Sequence, residues 1–114
     1  MKRIFLIATL STLLYSSCTF EKPEALTVGC DATLFYATDI KPIIDAKCVT
    51  CHFSGGSGTG DFTDFSVLKS KVTSGIFKNR VFDVKDMPPG GNPQPTADEL
   101  QKIKCWMEQG AQDN

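Results

Sequence analysis

The stretch Cys48-Val-Thr-Cys51-His52 constrains this chain more than any other feature, because His52 is the only histidine in its 114 residues. On a helical turn Cys48 and Cys51 occupy neighbouring positions of one face, and His52, at i+4 from Cys48, falls on that face too. Two thiols and an imidazole are thereby presented together. Whatever fold forms must leave room beside them.

Three chemistries use such a triplet. A zinc site needs about four ligands, and only Cys30 and Cys105 remain to complete a set. A thioredoxin-type dithiol sits in a βαβ context, and no such alternation of elements is visible here. The third is the C-x-x-C-H attachment signature of a c-type haem. The sulfurs of Cys48 and Cys51 then bond two vinyl-derived carbons of one macrocycle, and the His52 imidazole points under the same ring to bind iron. Haem attachment is the reading adopted, with zinc and dithiol chemistry as its alternatives. One copy of the motif means one haem.

The N-terminus has the layout of an export signal. Lys2 and Arg3 precede a largely apolar run from Ile4 to Leu14, too short for a hydrocarbon core that needs about 20 helical residues. Tyr15, Ser16 and Ser17 lead into Cys18. Small residues before a cysteine resemble a bacterial lipobox, which makes residues 1–17 a lipoprotein-type signal peptide and Cys18 the lipid attachment site. The plain alternative is ordinary cleavage near Ser17 with Cys18 a free thiol. The expected location is the periplasmic side of a bacterial membrane, with the lipid as anchor. Residues 18–29 have little apolar pattern and read as a tether. At about 3.3 Å per extended residue it can hold a small domain clear of a membrane surface.

Five cysteines is an odd number in a compartment where disulfides form. A lipid accounts for Cys18 and the haem motif for Cys48 and Cys51. Cys30 and Cys105 remain and can pair. Composition decides less: 41% hydrophobic and 22% charged residues are ordinary for a globular chain. The net charge of -1 argues against a nucleic-acid partner.

Residues 30–114 read as one all-α domain. A first helix is expected from Asp39, as N-cap, to Cys51, with Ile40, Ile43 and Ile44 on its buried side. A second is expected from about Thr63 to Val72. Four prolines and two glycines keep the segment from Asp86 to Pro95 out of helix and central strand. Thr96-Ala-Asp-Glu99 is a capping box that opens a last helix, with Leu100, Ile103, Trp106, Met107 and Ala111 on one stripe. Cys105 lies about 140° around from Leu100 by the helical count, off that stripe.

With one histidine engaged, a second strong axial ligand must be Met, Lys, water or nothing. Met87 and Met107 survive signal cleavage. Met107 lies on the apolar stripe, where core packing is the plain reading. Met87 sits in the Pro/Gly-rich loop, where Pro88 restricts it to extended geometry and a stiff loop loses little entropy on coordination. Met87 is therefore the candidate sixth ligand, against the reading of a plain loop residue.

Asp39-Ile-Lys-Pro-Ile-Ile44, Lys47-Cys-Val-Thr-Cys-His52, Met87-Pro-Pro-Gly-Gly91 and the ending Trp-Met-Glu-Gln-Gly-Ala111 together resemble the class I cytochrome c domain, over roughly residues 39–111. The resemblance implies a cytochrome c fold, with a few helices and long loops wrapped around one covalently bound haem. It also implies His52 and Met87 as ligands, and a first and last helix that cross at Trp106 and Gly110, with Gly110 allowing close approach. Family members often have a proline after the haem loop whose carbonyl accepts the histidine Nδ1–H. Residues 54–61 contain none, so another backbone carbonyl is expected in that role.

Arg80 is either a partner for a haem propionate or a solvated surface charge. Lys69, Lys71, Lys78 and Lys85 either ring the haem edge and steer an acidic partner or are separate surface lysines. A haem with both axial positions filled carries electrons between redox proteins, so an electron carrier rather than an enzyme is the leading expectation. The alternatives are a haem subunit of a larger oxidoreductase and a ligand sensor or enzyme with a labile Met87 bond. If Cys18 carries the lipid, Cys18→Ala fractionates as soluble protein. A variant that stays on membranes through a salt wash excludes that role.

Overall fold

The computed structural model describes residues 29–114. The expected export signal, the expected lipid site Cys18 and all but the end of the expected tether lie outside the described residues. Four α-helices and two π-helical turns carry the described chain, with no strand among the described residues, so the architecture is all-α.

Tyr36, Ile40, Ile43 and Ile44 recur at helical spacing, and all are buried. That stripe begins a turn before Asp39. A π-helical segment, Tyr36–Ile40, runs directly into α1, Lys41–Lys47. Pro42 explains the wide turn. It has no N–H to give and its ring crowds the carbonyl at i−4, so the turn opens and the Lys41 N–H donates to the Tyr36 carbonyl.

Asp39 is therefore not the N-cap. It sits inside the first turn, where its carboxylate accepts the Phe35 N–H at 2.9 Å. The Tyr36 and Ala37 N–H groups, orphans of the same helix end, donate to the side-chain and backbone oxygens of Asn114 at 2.8 and 3.1 Å. Regular helix also stops at Lys47, short of the expected Cys51. The Ile44 carbonyl accepts from both Cys48 and Val49, which breaks the ladder, and the β-branched pair Val49-Thr50 does not favour resuming it.

Helix α2, Phe65–Thr73, starts after Asp64 rather than at Thr63 because the Asp64 carboxylate accepts the Ser66 N–H at 2.8 Å. Gly75, at φ +79, turns the chain into a short α3, Ile76–Lys78, continued by a π-helical turn over Asn79–Asp83. Its apolar residues come as adjacent pairs, Ile76-Phe77 and Val81-Phe82, which show no helical period in the sequence. The segment after it, up to Pro95, is irregular.

Helix α4, Ala97–Glu108, carries the capping box in full: the Thr96 hydroxyl accepts the Glu99 N–H at 3.2 Å and the Glu99 carboxylate accepts the Thr96 N–H at 2.7 Å. Ile103 and Trp106 are buried, and Met107 packs half-buried against the same cluster. Cys105, expected off the core, is 4% exposed. The segment ahead of Tyr36 folds over that side of α4. A Cys30–Cys105 disulfide ties it down, with S–S 2.04 Å, and the Gln109 amide accepts from Leu34 at 3.0 Å and donates to Ala32 at 2.8 Å.

Gly110 corrects a further expectation. It takes φ +96, and the N–H groups of Gly110 and Ala111 return to the carbonyls of Met107 and Trp106 at 3.1 and 2.9 Å, a Schellman ending. A Cβ there meets nothing within 4 Å, so the glycine serves helix termination and not close approach. Lys69 donates to the carbonyls of Gly110 and Ala111. Around Trp106 the core is aromatic: Tyr36 stacks on it with centroids 5.6 Å apart, and Phe65 sits edge-on to both. No helix among the described residues is long and apolar enough to cross a membrane.

Hydrogen bonds from the Ser66 hydroxyl and then the Ser66 N–H hold the Asp64 carboxyl below its ordinary value of 3.8. A carboxylate lowered in the fold stabilises it above that ordinary value, and the contribution is lost as pH falls through the lower folded value. Asp64→Ala is expected to lower Tm at neutral pH, with the gap to the parent closing in acid. A gap that stays constant across that range refutes the capping role.

Candidate functional site

Although regular helix ends at Lys47, one turn survives across the motif. The N–H groups of Cys51 and His52 both return to the Cys48 carbonyl, at 3.1 and 2.9 Å. The glycine-rich loop then folds back on the motif. Gly58 donates to the Cys51 carbonyl at 2.9 Å and Phe62 to the His52 carbonyl at 2.8 Å. These bonds bring the Phe62 ring parallel to the imidazole, with centroids 4.3 Å apart and planes 4° apart.

Gly58 packs against the imidazole as well. A Cβ at Gly58 would lie 2.6 Å from Nδ1 and 2.7 Å from Cε1 of His52, so the loop reaches the ring only because the residue is glycine. Packing, rather than a hydrogen bond, orients this histidine. Its Nδ1 is buried and has no hydrogen-bond partner, so the expected carbonyl acceptor is not among the described residues. Gly58 packs on the ring, and its N–H is already turned to Cys51.

Cys48, Cys51 and His52 line a cavity of about 300 Å³, at the lower end of the range for small-molecule sites. Phe62, Phe77, Val81 and Ile103 form its apolar walls, and Met87 and Pro88 reach it from the irregular segment. Met107 does not line it and belongs to the core cluster. Three residues close together in sequence and a methionine far along the chain thus share one space.

The charged residues that line this space are Lys47, Lys71 and Arg80, and no carboxylate is part of its lining. Lys47 is 3.7 Å from Glu99, and the Arg80 Nε–H donates to Asp86 at 2.6 Å. The lysines expected as a ring divide. Lys71 is in the cavity wall, Lys69 is engaged at the end of α4, and Lys78 pairs with Asp83 at 2.8 Å.

Burial pushes the Cys48 thiol up to about 11. It is therefore protonated at neutral pH, the opposite of the lowered value that activates a redox dithiol. Cys30 and Cys105, the remaining candidates for a zinc set, are bonded to each other. No group of three or more His, Cys, Asp or Glu that could hold a metal ion occurs among the described residues.

Two residues that matter here escape sequence reasoning. Gly58 is one of four glycines between Gly55 and Gly60, and nothing local marks it as the one that touches His52. Phe62 carries only the signal of an isolated aromatic residue after a loop. No family model, curated protein or solved structure matches this chain.

The imidazole contact is directly testable. Gly58→Ala is expected to lower unfolding free energy by about 1–3 kcal/mol through overpacking. Gly90→Ala, where a Cβ meets nothing within 4 Å, should change it by less than about 0.5 kcal/mol. Equal losses in urea unfolding would refute the contact.

Proposed function

We propose that this chain is a small class I c-type cytochrome of cytochrome c fold. In this reading Cys48 and Cys51 would hold one haem by thioether bonds, and His52 and Met87 would supply the ligands to its iron. It carries one electron at a time between exported or membrane-bound redox proteins and catalyses no reaction of its own. The lipid on Cys18 anchors it on the periplasmic side of a bacterial membrane.

One observation carries the reading: the C-x-x-C-H residues and Met87 line the same cavity. The donor set fits the group, with two thiols for covalent attachment and an imidazole and a thioether for iron. The walls fit as well. Apolar side chains together with Lys47, Lys71 and Arg80, in a lining that holds no carboxylate of its own, suit a flat apolar group that bears carboxylates. Contact between the N-terminal helix and α4 through Tyr36 and Trp106 supports the fold assignment.

The bound haem supplies the one-electron couple. The protein's own residues do the rest. Cys48 and Cys51 fix the group in one orientation. Phe62 and Gly58 hold the His52 ring, so that little rearrangement accompanies a change of charge. Phe77, Val81 and Ile103 keep water from the cavity, which disfavours net charge inside it. Met87 fills the position that an exogenous ligand would need, and its soft sulfur favours the reduced state.

Haem should survive acid–acetone extraction of the purified protein, and extraction from the parent overturns covalent attachment. The oxidised protein should be low-spin, with the weak far-red band of iron–sulfur coordination. Met87→Ala should abolish that band, lower the reduction potential and open the reduced protein to carbon monoxide. Met107→Leu should leave all three unchanged and cost less than about 1.5 kcal/mol of stability. Rapid carbon monoxide binding by the parent would replace the carrier with a sensor or enzyme.

A further inference from the structure

Met87 reaches the cavity from a segment with no regular structure, so something must hold its sulfur there. The chain reverses after the π-helical turn, where Lys85 takes φ +59, and comes back over Arg80. The Arg80 carbonyl accepts the N–H groups of both Asp86 and Met87, at 3.1 and 3.3 Å. The Arg80 Nε–H donates to the Asp86 carboxylate at 2.6 Å. One residue therefore grips the backbone at Met87 and the side chain just before it.

On the far side of Met87, the Gln94 amide donates to the carbonyls of Pro88 and Asn92 at 3.0 and 3.1 Å. That brace keeps the proline turn closed but does not reach back to the helical part of the domain. Among the described residues, the hydrogen bonds that connect Met87 to it run through Arg80.

We propose that Asp86 and Arg80 form a clasp that positions Met87 in the cavity. The proposal rests on the reading of Met87 as an iron ligand. It gives Arg80 a role distinct from that of a propionate partner. The Nε–H is directed at Asp86, and Arg80, with further guanidinium N–H groups, is also part of the cavity lining. Asp86 does not line the cavity and acts through its neighbour, so it is a positioning residue.

The pair is about half exposed, with side chains 45% and 42% accessible, so its effect is modest. Asp86→Asn and Arg80→Lys in the holoprotein are each expected to speed carbon monoxide binding to the reduced form roughly two- to fivefold, or about 0.4–1 kcal/mol at 1.4 kcal/mol per tenfold. Both should also weaken the far-red band. Measured well below Tm, neither signal responds to a loss of overall stability alone. Both substitutions together should do no more than either alone, because they break the same contact.

Parental rates and band in Asp86→Asn overturn the clasp. So does an effect of Arg80→Lys without one of Asp86→Asn, which would assign Arg80 to the cavity's contents. If the parent itself lacks the band and binds carbon monoxide quickly, the Met87 ligand reading has failed, and the clasp with it.

Discussion

Tyr36 stacked on Trp106 is the contact on which the rest of the domain depends, because it joins two helices that contribute to different parts of the cavity. The N-terminal helix leads into Cys48, and α4 supplies Ile103. Both aromatic residues are almost fully buried. Burying a large apolar side chain contributes roughly 1.5–3 kcal/mol, and an aromatic pair adds about 0.5–1.5 kcal/mol. The Lys47–Glu99 pair ties the same helices near their other ends. A partly exposed pair of this kind contributes at most about 1 kcal/mol, so it sets register while the aromatic contact provides the strength. Phe65 brings α2 onto the same centre.

A small domain with a cavity at its middle has little core left, and the chain compensates at its ends. The Cys30–Cys105 disulfide closes a separation of 75 residues, for which chain entropy predicts roughly 4 kcal/mol. Gln109 and Asn114 then satisfy backbone groups of the segment around Leu34 and Tyr36. These bonds do more than add stability. They cap the N-terminal helix from a distant part of the chain, and so hold in register the helix that delivers Cys48.

That distance separates what could be read in the sequence from what could not. Helix α4 was legible to the residue at its start because its capping box is local: every group that starts it lies within one turn. The start of the N-terminal helix was not, because its donors are met by Asn114 and its proline by a π-helical turn. Asn114 leaves no mark near Asp39, and Pro42 is equally compatible with a helix that begins there. The site divides in the same way. Cys48, Cys51, His52 and Met87 could be named from residue type and spacing, since few side chains offer sulfur or imidazole. Gly58, Phe62 and the partner of Arg80 could not, because their roles arise from loop geometry. The position of Cys105 was misjudged for a related reason: helical periodicity describes one buried face, and α4 has a second one covered by the segment ahead of Tyr36.

The cavity is consequently held unequally on its two sides. On the motif side, His52 is fixed by backbone bonds in both directions, donating to Cys48 and accepting from Phe62, with the Phe62 ring against it. On the other side, Met87 hangs on a single carbonyl and an ion pair that is about half exposed. Local opening follows the least buried and least bonded segment, so the segment from Val84 to Pro95 opens before the motif does. On the proposed cytochrome reading this order has a chemical consequence. A thioether binds weakly, and the geometry that holds it must come from the protein, whereas attachment through Cys48 and Cys51 does not depend on that segment. Opening would then change what reaches the iron without releasing the haem, and electron carriage would depend on how rarely the methionine side opens.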